Sequence, residues 1–316
     1  GGVSNFTRTT SAQTFIEAKE VLATNQAEVT ISRGNATVFF SSATVSHPKL
    51  TVEQGATVTI TTTAGVANTI DLRGENPEIA LQNGVLSVRT IGPATIIPTN
   101  TTNNAVVLSG IFPKITVHQD SLFTVRTTLT KRGIHLVGDN AQLEVNNSNL
   151  SVVSATQAAL NIAGESPRLV LDSPNINITS TTGQRINLIG ANPLLSLAST
   201  EMIMNASTGR GIYLQGATPQ VLMENSQLLM TDTGASQGMI LQGTDALLSL
   251  SNESELSITG AGTGALENIQ IGNSNARPEL SITGKSKVSV TTTSGTGAAT
   301  DTANNAIHLR GTDPKA

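Results

Sequence analysis

Between Gly211 and Gln237 the chain carries three short runs with apolar residues at alternate positions: Ile212/Leu214, Val221/Met223 and Leu228/Met230. A period of two is the mark of a strand with one face turned to a core. Polar turn residues follow each run, at 216–219, 224–227 and 231–237. The same phrase recurs along the chain. Aligned on one glycine it reads TIDLRG to Gly74, VVLSG to Gly110, IHLVG to Gly138, LNIAG to Gly164, INLIG to Gly190, IYLQG to Gly216, ILQG to Gly243 and IHLRG to Gly311. The spacing settles to 26 residues from Gly138 to Gly216, and residues 269–273 hold a degenerate copy. Proline stands three residues after the glycine in most copies, as in Pro77, Pro113, Pro167, Pro193, Pro219 and Pro314.

One such unit buries too little to fold alone, so the copies must stack edge to edge with their apolar rows in line. Three strands in a turn of about 26 residues predict an all-β fold: a right-handed parallel β-helix of about nine coils. At about 4.8 Å per coil the rod is on the order of 43 Å long. Glycine at the first corner permits positive φ and proline stiffens the entry to strand two. The polar pair at the second corner, such as Asn147-Ser148 or Asn225-Ser226, is read as a stack of side-chain amides. Three insertions, near residues 90–104, 259–266 and 291–304, all follow strand three and place longer loops on one edge.

Only residues 11–26, SAQTFIEAKEVLATNQ, read as a helix. Phe15, Ala18, Val21 and Leu22 fall on one stripe, and Ser11 or Thr14 can cap the start. The expected organisation is thus an N-terminal segment with a capping helix over 1–27 and the β-helix over 28–316. Residues 306–316 open a further coil, so the solenoid is expected to continue past Ala316.

Composition narrows the chemistry more than the fold. The 316 residues carry a formal net charge of −4, 13% charged and 2% aromatic residues, and no cysteine. Disulfides, thiolate metal sites and cysteine nucleophiles are excluded, and an acidic balance gives no reason to expect nucleic acid. No apolar run is long enough to insert in a membrane as a helix. The four histidines, His47, His118, His135 and His308, are scattered, and no calcium-binding or phosphate-loop motif occurs. Neither a metal nor a cofactor is expected.

The outward row of strand one reads Asp71, Val107, His135, Asn161, Asn187, Tyr213, Ile240, Gln270, His308, and that of strand two Ala80, Thr116, Glu144, Val170, Ser196, Leu222, Ser249, Ser281. Each holds one acid, whereas glycoside hydrolysis needs two carboxylates within reach of one bond. Asp120, Asp139, Asp172 and Asp232 read as turn residues, and no catalytic residue is assigned. The outward positions of the middle coils are apolar: Ile189, Tyr213 and Ile240 near strand one, Val170, Leu194, Leu222 and Leu247 near strand two, Ile203 and Leu229 in strand three. They are a candidate binding stripe, in which Tyr213 stacks on a sugar or peptide and Asn161 and Asn187 hydrogen-bond to it. The alternative is β-propensity on a wall covered by loops or by another copy.

The opening SAQTFIEAKEVLATNQAEVTISRG, then KLTVEQGATVTI and the coils, resembles the pectate-lyase-like adhesive domains of Gram-positive surface proteins. The resemblance covers nearly the whole chain. It implies a non-catalytic extracellular adhesion module on a bacterial surface, with a glycan, a matrix protein or another copy of itself as partner. A passive stalk and a pectinase-like enzyme are the alternatives.

Overall fold

The computed structural model describes residues 3–8, 16–34, 37–63, 68–91, 104–128, 132–206, 209–232, 237–260, 268–273, 276–292 and 307–316. These residues form strands and no helix. The strands make three parallel sheets of 11, 11 and 10, and each strand pairs with those three before and three after it. A chain that returns to the same sheet at every third strand is a parallel β-solenoid. The first wall runs from Ile16–Glu17 to Ile307–Leu309, the second from Glu20–Ala23 to Glu279–Ile282, and the third from Val3–Arg8 to Lys287–Thr292. Each wall therefore holds more strands than the nine coils expected. The surplus comes from the irregular start of the chain, where Phe39–Ser41 joins the first wall by pairing Phe39 with Ile70.

The expected capping helix is not formed where that segment is described. Residues 11–15 lie outside the described residues, and from Ile16 onward the chain forms Ile16–Glu17 and Glu20–Ala23. Val21 pairs with Leu50 and Ala23 with Val52, which buries Ala23 and leaves Leu22 55% exposed. Asn25 and Gln26 then turn at φ of 56° and 57°, a conformation that ends any right-handed helix. The sequence favours helix locally, but pairing with Lys49–Glu53 wins because it satisfies backbone groups and buries apolar surface together.

Inside, each row is an apolar ladder. On the first wall Ile134, Leu160, Ile186, Ile212 and Met239 succeed one another, all fully buried. The glycine corner follows from crowding as well as from φ. Gly138 and Gly164 do adopt φ of 150° and 156°. A Cβ on Gly138 would also lie 1.6 Å from the carbonyl oxygen of Gly110, and one on Gly190 1.8 Å from that of Gly164. Backbone stacks on backbone there, and only glycine fits.

At the second corner hydroxyls rather than amides form the stack. The N–H of Gly84 donates to Ser121 Oγ, Ser121 to Ser148, Ser148 to Ser173, Ser173 to Thr200, Thr200 to Ser226, Ser226 to Ser254 and Ser254 to Ser286. Several of these hydroxyls donate in turn to carbonyls: Thr200 Oγ1 to Ala198 at 2.8 Å and Ser226 Oγ to Glu224 at 2.7 Å. A hydroxyl both accepts and donates at short range, which suits it to a buried corner better than an amide. The asparagines take the exposed positive-φ positions beside it, as at Asn147 and Asn225. The bulk of each insertion lies outside the described residues.

Candidate functional site

The outward row of the first wall is continuous. Asp71, Val107, His135, Asn161, Asn187, Tyr213, Ile240, Gln270 and His308 are successive register partners, and Phe40 extends the row before Asp71. Its floor is sunk. Asn161, Asn187 and Ile240 are only 5%, 7% and 4% exposed, although they point away from the core. Two flanking rows stand beside them. On one side Asn104 pairs with Arg132, and the ladder continues through Ala158, Gln184, Arg210 and Gln237. On the other run Ser109, Val137, Ala163, Ile189, Gln215 and Gln242, with Ile189, Gln215 and Gln242 exposed.

Within the row a polar network spans three coils. Arg132 Nη1 lies 3.4 Å from His135 Nε2, and an arginine can only donate, so Nε2 accepts. The imidazole proton then sits on Nδ1, which faces the Asn161 carbonyl oxygen at 3.3 Å and the Asn161 carboxamide at 2.6 Å. With Nδ1 as donor, the carboxamide turns its oxygen to the histidine and its nitrogen to Asn187, an orientation that hydrogen-bond logic assigns. Burial, with Arg132 close by, lowers the His135 pKa to about 4 against a weak opposing pull from the Asn161 carbonyl, so the ring is neutral at pH 7. Burial also lowers the Arg132 pKa. In the arrangement where Asn187 Nδ2 donates to Asn161 Oδ1, Asn187 Oδ1 is buried without a partner among the described residues. Turning both amides moves that deficit to the other end of the Asn187 carboxamide without removing it.

Tyr213 is not a free platform. Its hydroxyl donates to Gln242 Oε1 at 2.7 Å, and the Arg210 guanidinium lies 5.1 Å from its ring centroid. Burial raises the phenol pKa and Arg210 lowers it, with burial the larger. Five of the seven stripe residues, Asn161, Asn187, Ile189, Tyr213 and Ile240, share this wall. Leu222 belongs to the second wall, half-buried between Ser196 and Ser249 in register. Leu229 belongs to the third, beside Ile203, and the pair is 41% and 37% exposed. One binding surface does not contain all seven. Arg132 and Arg210 fall outside the apolar run that marks the row; each stands three residues before a member of it, at His135 and Tyr213.

The lone acids of the two outward rows are already engaged. Asp71 receives Arg73 Nε and Nη2 at 2.8 and 2.7 Å and Asn68 Nδ2 at 2.9 Å, which raises the Arg73 pKa. Glu144 lies 3.5 Å from Lys114 and 3.4 Å from His118. Among the described residues no three of His, Asp and Glu converge to hold a metal ion, and no helix is long and apolar enough to cross a membrane. Asp120, Asp139 and Asp172 are exposed, while the side chain of Asp232 lies outside what is described. Comparison with protein-family models, curated proteins and solved structures gives no match.

Proposed function

We propose that the chain is a non-catalytic binding module of a bacterial cell surface, presenting the first wall of a right-handed β-helix to a glycan or an extracellular-matrix protein. The observation that carries this reading is the buried outward row of Asn161 and Asn187 leading to Tyr213, polar groups in register, with Asn187 short of a partner. A buried amide without a partner costs about 1–3 kcal/mol, which a scaffold role alone does not recover and a ligand hydroxyl would. Non-catalytic action fits the two row acids, each held by neighbouring cations. Display on a Gram-positive surface follows the resemblance to pectate-lyase-like adhesive domains. Its support is the run of coils, since the described part of the opening is strand. No cofactor enters this reading.

Self-association is a second reading, favoured by the paired, exposed Ile203 and Leu229 on the third wall. One experiment separates the two. The protein is applied to an array of glycans and matrix proteins, and its mass in solution is measured, for the wild type, Tyr213→Ala and Leu229→Asp. Surface binding predicts retention on the array that Tyr213→Ala weakens and Leu229→Asp leaves intact. A mass that falls only in Leu229→Asp, with no retention by any protein, rejects it for self-association.

A further inference from the structure

Past Asp71, the middle coils of the first wall differ in charge from the rest of this acidic molecule. From Asn104–Ser109 to Met239–Gln242, the outward row and its two flanks contain, among the described residues, Arg132, His135 and Arg210 and not one aspartate or glutamate. Outside that stretch of the wall several cations stand against acids: Lys49 on Glu78, Arg73 on Asp71, Lys114 on Glu144, Arg277 on Asp245, Lys287 on Glu255. Neither Arg132 nor Arg210 has a carboxylate partner among the described residues. Arg132 is half-buried, and burial without a counter-ion is costly for a guanidinium. The two arginines lie three strands apart on the same flank, about 14 Å at the usual strand spacing. Between them the wall offers the amides of Gln184, Asn161 and Asn187, one of these short of a partner.

We infer that this wall binds an anionic glycan lying along the solenoid axis, with Arg132 and Arg210 each taking an oxyanion and the amide row taking sugar hydroxyls. The inference rests on the reading of the wall as a binding surface and adds the class of ligand. Guanidinium is the group of choice for carboxylate and sulfate, which it meets with paired donors. An acidic peptide fits less well. Strand addition needs an open edge, and every strand of this wall from Phe39–Ser41 to Ile269–Ile271 is paired on both sides. Carboxylated and sulfated sugars share the required chemistry.

The test uses the full chain and one sugar backbone in three forms: hydroxyethyl cellulose, carboxymethyl cellulose and cellulose sulfate, with polyaspartate as a peptide polyanion. Dissociation constants are measured for the wild type, Arg132→Gln, Arg210→Gln and Arg168→Gln, the last an equal charge change at an exposed site on the second wall. NMR of His135 reports whether the ligand sits in the row. One or both anionic celluloses should bind at least tenfold tighter than the neutral one and shift the His135 ring signals. Arg132→Gln and Arg210→Gln should each weaken binding about tenfold, and Arg168→Gln should not. The stronger of the two anionic forms identifies the oxyanion. Equal loss in Arg168→Gln, an unmoved His135, or polyaspartate binding as tightly would overturn the inference. So would tighter binding of the neutral form; if that binding still depended on Tyr213, the surface-binding reading would stand and only the anionic ligand would fall. Binding to none of the four removes the anionic ligand, and the array decides the broader reading.

Discussion

Asn187 and Leu188 are neighbours in the strand Ile186–Ile189, both buried, and they obey different rules. Leu188 sits in an inward row where Leu136, Ile162, Leu214 and Leu241 hold the equivalent places, so each coil repeats the last. Asn187 sits in an outward row that reads acid, valine, histidine, amide, amide, phenol, isoleucine. The inward row is set by what stacks on itself in a dry core. The outward row is free of that demand, yet several of its members are as hidden as the core, and one of them lacks a partner. Stability lives on the inner side of this strand, and specificity is expected on the outer side.

The largest effect is expected at the corner that fixes the coil. Gly138→Val brings a Cβ onto the Gly110 carbonyl and forces a β-branched residue to φ 150°. A loss of about 4 kcal/mol or more is expected in denaturant unfolding, the range of clashes that cannot relax. Leu188→Ala should cost about 2–5 kcal/mol, the usual loss for a leucine cut from a packed core.

The outer row enters next, through pH. His135 has a folded pKa of about 4 against an unfolded value near 6.5. The unfolded chain therefore binds the extra proton first as pH falls. The stability held in the neutral ring is full above pH 6.5 and is lost progressively down to about pH 4. The loss is about 3 kcal/mol by linkage at 1.36 kcal/mol per unit. His135→Gln should flatten the stability profile across that window, measured as unfolding midpoint against pH. The smallest effect belongs to Asn187→Leu. It removes a bond to Asn161 and an unpartnered polar atom together, so stability should move by no more than about 1 kcal/mol. A loss as large as that of Leu188→Ala would erase the distinction between the two sides of the strand.

How much of this was legible in the sequence follows from the same contrast. The inward rows show in a period of two that repeats with the coil, and aligning the glycines gave the true register from Asp71 to His308. The hydroxyl corner was half legible: the polar pair stood out, but only the geometry distinguishes Ser148 and Ser226, which stack, from Asn147 and Asn225, which turn outward. Residues 16–26 misled because helical propensity is local, and the edge of Lys49–Glu53 that captures Glu20–Ala23 is not. Burial of the outward row was invisible for a related reason. It depends on what the neighbouring coils place around the row, and no single strand carries that information. Arg132 and Arg210 lie outside the alternating runs, so apolar alternation carries no signal for them.

The most direct test of the division between core and binding face is a matched pair in one strand. Leu188→Val and Asn187→Leu are compared for unfolding midpoint and for retention on an array ligand that the wild type binds. Asn187→Leu is expected to keep the midpoint and lose retention, while Leu188→Val lowers the midpoint and keeps retention below it. Retention that survives Asn187→Leu unchanged, or that tracks the midpoint in both variants, would contradict it.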